Sequence, residues 1–132
     1  YHATMPTDGL RAFRDTMMET RTFGFEKLKD AQWELGNGVR AMMAQKGIRS
    51  VAAEGFGAPG VVVSYTTDSE VQNGKKFAAR GMQIAAGVPL QCDEPEAFKT
   101  FRIGLFGLDK LYDVPAALAR LQTVVDEVFP SA

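Results

Sequence analysis

The octapeptide Thr100–Gly107, T-F-R-I-G-L-F-G, does most to limit what this chain can become, because its apolar residues alternate. Phe101, Ile103 and Leu105 recur at the two-residue period of a strand that shows one face to a core, which leaves Arg102 and Gly104 together on the opposite face. That second face is small and cationic. An arginine so placed carries a planar fork of donors suited to a carboxylate held through two parallel hydrogen bonds. A surface arginine on an edge strand is the plainer alternative, and the strand by itself leaves both open.

The remaining residues build outward from that strand. At 132 residues the chain has the length of one ordinary domain, enough for a hydrophobic core without disulfide or metal staples. Fifteen basic against sixteen acidic side chains give almost no net charge, so neither nucleic acid nor an anionic membrane surface is an expected partner. The single cysteine, Cys92, cannot form an internal disulfide, and no apolar run approaches the roughly 20 residues needed to span a bilayer. A reducing, cytoplasmic setting is expected. The chain opens on Tyr1-His2-Ala3-Thr4, with neither an initiator methionine nor a signal peptide, and so reads as a fragment.

Apolar spacing predicts a helix from about 7 to 22, with Thr7 or Asp8 as its cap and Leu10, Phe13, Met17 and Met18 on its stripe. A longer helix follows, with Phe25, Leu28, Leu35, Val39, Met42 and Met43 on one face and Gly47 closing it. Gly36-Asn37-Gly38 is its expected kink, since each glycine costs about 1 kcal/mol against alanine. The four methionines on these stripes are expected to pack in the core. Ile48 to Glu54 and Val61 to Tyr65 are strand-like on either side of a Gly55–Gly60 turn, which predicts a hairpin. Asp68 or Ser69 can cap a helix running to Gly81. Gln83 to Ala86 is a short strand candidate, and Asp93-Glu94-Pro95-Glu96 is a polar excursion before the Arg102 strand. An amphipathic helix with Val114, Leu118, Leu121, Val125 and Val128 ends the chain, with Pro115 in its first turn. This order implies an α+β fold, with helices packed on one face of a small, mostly antiparallel sheet.

Catalytic constellations are scarce. His2 is the only histidine and Cys92 the only cysteine, so no metal site of the usual zinc kind is expected. Gly55-Phe56-Gly57 lacks the later glycine, lysine and helix opening of a phosphate loop and reads as a turn. The acidic run at Asp93, Glu94 and Glu96 reads as solvated surface and is given no role.

Two motifs carry a family resemblance. The opening Y-H-A-T-M-P-T and the later F-R-I-G-L-F-G resemble the C-terminal part of class V pyridoxal-phosphate aminotransferases, most of all the alanine–glyoxylate, serine–glyoxylate and serine–pyruvate enzymes. The resemblance spans nearly the whole chain, although only these motifs are specific. It implies the C-terminal small domain of a fold-type-I pyridoxal-phosphate enzyme, with residues 1–22 connecting from a large domain. Arg102 matches the arginine that grips the substrate α-carboxylate. Tyr1 and Thr4 match residues that reach across a homodimer interface to the cofactor phosphate, a task for neutral hydroxyl donors. The implied substrates are small amino acids and 2-oxo acids. The family's cofactor-bearing lysine and its aspartate lie upstream, and none of Lys27, Lys29, Lys46, Lys75, Lys76, Lys99 or Lys110 has the matching context. The 132-residue chain alone is therefore expected to be inactive, to bind no cofactor and to self-associate through an uncovered apolar face. The alternatives are another class V enzyme, of cysteine desulfurase or phosphoserine aminotransferase type, and a stand-alone, non-catalytic α+β module that binds a carboxylate.

Overall fold

The computed structural model describes residues 4–130. Two long helices come first, α1 (Thr7–Phe23) and α2 (Phe25–Gln45), and only the second joins the core. Leu35, Val39, Met42 and Met43 are buried, whereas α1 buries nothing and leaves Phe13 64% and Met17 55% exposed. Core packing therefore holds for Met42 and Met43 and fails for Met17 and Met18. The last turns of α1 do meet the domain: Phe23 packs edge-on against Tyr112 at 5.1 Å, and the Tyr112 hydroxyl donates to Glu19 at 2.8 Å. Neither Thr7 nor Asp8 caps α1. Pro6 holds the cap position and both residues fall in the first turn, where Asp8 still complements the helix dipole.

The expected kink in α2 is absent, because close packing offsets the cost of its glycines. A Cβ on Gly36 would lie 2.6 Å from the Pro59 carbonyl oxygen, and one on Gly38 would lie 2.7 Å from Leu118. These two positions let a loop and the last helix approach the α2 backbone. The helix closes as expected around Gly47, with the Ile48 amide donating to the Met43 carbonyl at 2.9 Å.

The sheet has three antiparallel strands in the order β1-β3-β2: β1 (Val61–Tyr65), β2 (Ala85–Ala86) and β3 (Thr100–Gly104). The expected hairpin with residues 48–54 shrinks to a single bridge, Ser50 with Ser64, flanked by hydrogen bonds from Val51 to Val63 and from Tyr65 to Arg49. Ser50 itself ends that pairing. Its hydroxyl accepts from the Ala52 amide at 3.1 Å and turns the chain away, a local bond that competes with the ladder. The main partner of β1 is instead β3, from Val61 opposite Gly104 to Tyr65 opposite Thr100.

The helix expected between Asp68 and Gly81 is two short ones, α3 (Ser69–Gln72) and α4 (Lys75–Ala78). Asp68 caps α3 by accepting from the Glu70 and Val71 amides, and Gly74, in the left-handed region at φ 79°, breaks the run. A further short helix, α5 (Leu108–Leu111), precedes α6 (Val114–Val128), which starts as anticipated with Asp113 as cap and Pro115 in the first turn. Phe101 and Ile103 of β3, Val62 of β1, Val39 of α2, Phe77 of α4 and Val125 of α6 form the centre of the core. The rings of Phe77, Phe101 and Phe129 pack together there in tilted and edge-on pairs, with centroids 5.9 to 6.2 Å apart. Among the described residues no helix is long and apolar enough to cross a membrane.

Candidate functional site

Strand alternation and register together place Arg102. Phe101 and Ile103 are buried on the core face, opposite Ser64 and Val62 of β1. Arg102 stands on the other face, flanked by Val63 on one side and Ala85 on the other, with Gly104 exposed two residues along. Val61, Val63 and Tyr65 on this face are only half-buried, so the sheet is open there.

The arginine is partly exposed and held at one point. Its Nε donates to the Ala86 carbonyl at 2.9 Å. That bond uses one of five guanidinium donors and leaves the terminal Nη groups, whose N–H bonds suit a carboxylate end-on. Among the described residues no carboxylate forms an ion pair with Arg102; the pairs that do form lie elsewhere, such as Lys46 with Asp126 at 2.7 Å and Arg80 with Glu127 at 3.1 Å. A guanidinium held by the backbone of the neighbouring strand, and in no ion pair among the described residues, is chemically able to receive an anion.

The connection from β2 to β3 is organised by Glu94, a residue that reads from sequence as solvated surface. The Glu94 carboxylate accepts from three successive amides, Leu90 at 2.6 Å, Gln91 at 2.9 Å and Cys92 at 2.8 Å. These bonds, those from Cys92 and Gln91 foremost, lower its pKa from 4.5 to about 2. Gln91 and Asp93 take the left-handed conformation, at φ 58° and 61°, to let the loop close around the carboxylate. The only sequence signal was the Asp-Glu-Pro run, which looks the same whether an acid is solvated or turned inward.

Arg40 is a second cation without an acid partner among the described residues. It donates to the carbonyls of Val61 at 3.1 Å and Gly36 at 3.5 Å, its Nε is buried without a partner, and burial pushes its pKa down. Its donors tie α2 to β1, a bracing role. Thr4 is exposed in the segment leading into α1, on a different element from Arg102, and Tyr1 and His2 lie outside the described residues.

Six of the seven lysines have partners among the described residues. Lys29, Lys46, Lys76 and Lys110 pair with Glu26, Asp126, Asp68 and Asp109, Lys99 donates to the Ser69 hydroxyl, and Lys27 stands over the Phe23 ring. No group of three or more metal-ligating side chains occurs among the described residues.

The fold is an α+β domain with Arg102 on the partly exposed face of a three-stranded antiparallel sheet. A crystal structure of ureidoglycine–glyoxylate aminotransferase from Bacillus subtilis is similar to it, with a TM-score of 0.68 over 96% of this chain at 23% identity. The match takes in 32% of that aminotransferase chain, so this chain spans about a third of its length. The likeness is one of fold. No protein-family model matches the chain, and no curated protein matches it.

Proposed function

We propose that this chain is the small domain of a pyridoxal-phosphate transaminase and that Arg102 holds the α-carboxylate of its amino-acid and 2-oxo-acid substrates. The observation that carries the reading is Arg102 itself, held by the Ala86 carbonyl on a partly exposed sheet face and in no ion pair among the described residues. The fold shared with an aminotransferase supports it, as does α1, whose Leu10, Phe13, Met17 and Met18 stay exposed. An apolar helix face of that kind asks for a partner surface, here assigned to the remainder of a longer chain. That remainder would also carry the cofactor, its lysine and its aspartate.

In this reading Arg102 binds and orients, the end-on Nη pair fixing the carboxylate so that the α-carbon faces the chemistry supplied from outside this domain. Thr4 and Tyr1 would donate hydroxyls to the phosphate of a cofactor across a homodimer interface. Small substrates such as alanine, serine, glyoxylate and pyruvate, and a cytoplasmic setting, complete the proposal.

The test is kinetic. A charge-assisted pair is worth roughly 1.5–3 kcal/mol, or about 10- to 100-fold in affinity. In the longer protein, Arg102→Ala should therefore raise KM for amino acid and oxo acid together by at least about tenfold, with the cofactor spectrum unchanged. Unaltered KM values would remove Arg102 from the site.

A further inference from the structure

We infer that Ala85 is a positioning residue for Arg102, kept small so that the arginine can lie across β2 and be aimed by the Ala86 carbonyl. The inference rests on the reading of Arg102 as the carboxylate-binding residue. Ala85 is the cross-strand partner of Arg102, so the two side chains stand side by side on the same face of the sheet. From that position Arg102 reaches past its neighbour to the next residue of the same strand, where Nε meets the Ala86 carbonyl at 2.9 Å. The side chain beside it at position 85 is a methyl group.

The core does not explain why this position is small. Both residues of β2 are exposed, and an exposed strand site ordinarily favours β-branched or aromatic side chains over alanine. Nor does β2 bury apolar surface of its own. What its two residues supply is a ladder to β3 and, on its main chain, the acceptor for Arg102. With Nε satisfied and the guanidinium plane set, binding a carboxylate through the Nη groups orders little further, which is the advantage of a preorganised fork. A leucine at position 85 would occupy the space through which Arg102 reaches, and would turn Nε away from its acceptor.

The experiment uses the longer protein carrying its cofactor, with Ala85→Leu, Ala85→Ser, Arg102→Ala and the double variant Ala85→Leu/Arg102→Ala. Calorimetric titration with acetate, an unreactive carboxylate, and steady-state kinetics with alanine and pyruvate are the readouts, together with the melting temperature. Ala85→Leu should leave the melting temperature unchanged or raise it, yet weaken acetate binding and raise both KM values tenfold or more, with kcat changed less. Ala85→Ser should keep the parental values. The double variant should be no worse than Arg102→Ala, because the leucine acts through the arginine. Parental affinity in Ala85→Leu beside a loss in Arg102→Ala would overturn the positioning role and leave the carboxylate reading standing. Parental affinity in Arg102→Ala would overturn both.

Discussion

At the scale of single residues, a backbone contact governs how firmly Arg102 can be held. Gly87 follows the carbonyl that anchors Arg102, and a Cβ there would lie 1.9 Å from the Thr100 carbonyl oxygen and 2.3 Å from its hydroxyl. Thr100 is buried and cannot retreat. Gly87→Ala should therefore force the strands apart and lower stability by about 1–3 kcal/mol, the usual cost of overpacking. Urea denaturation checks this, and a loss below about 0.5 kcal/mol would mean that β2 gives way freely. Arg102 was legible from sequence because two-residue alternation assigns faces whatever the partner strand turns out to be. Its acceptor was not. A two-residue strand has no periodicity to read, and Ala85-Ala86 carries no chemical mark of a main-chain carbonyl in use.

Among the elements, the β2–β3 connection depends on one titratable group. The folded Glu94 pKa, about 2, lies below the ordinary 4.5, so the closed loop is favoured throughout the range above 4.5 and loses that support as pH falls through about 2. Amide chemical shifts of Leu90, Gln91 and Cys92 should accordingly move together with a midpoint near 2, and Glu94→Gln should abolish the transition. A midpoint at the ordinary carboxyl value would show the carboxylate to be solvated. Elsewhere the elements divide according to the source of their signal. α6 was readable end to end because cap, first-turn proline and apolar stripe agree. α2 was readable in extent but not in straightness, since the partners that make Gly36 and Gly38 useful, Pro59 and Leu118, are distant in sequence. The strand expected at 48–54 and the helix expected at 68–81 failed for local reasons, the Ser50 hydroxyl turn and the left-handed Gly74.

For the molecule as a whole, the core closes without α1. The sheet, α2, α4 and α6 bury Phe77, Phe101, Val39 and Val125 almost completely, while Phe13 and Met17 of α1 remain more than half exposed. The amphipathic pattern of α1 was correctly legible as a helix and wrongly legible as core, because periodicity reports that a face will be covered and not by what. The uncovered face of α1 is what the proposal requires, in which this domain contributes a carboxylate-binding arginine to a site completed by other residues. The direct measurement is borohydride reduction of the natural gene product in the presence of pyridoxal phosphate, followed by peptide mapping of the modified lysine. Stoichiometric labelling of one lysine outside residues 1–132 is the expected result. A label on Lys27, Lys75, Lys99 or any other lysine of this chain, or no specific label at all, would contradict it.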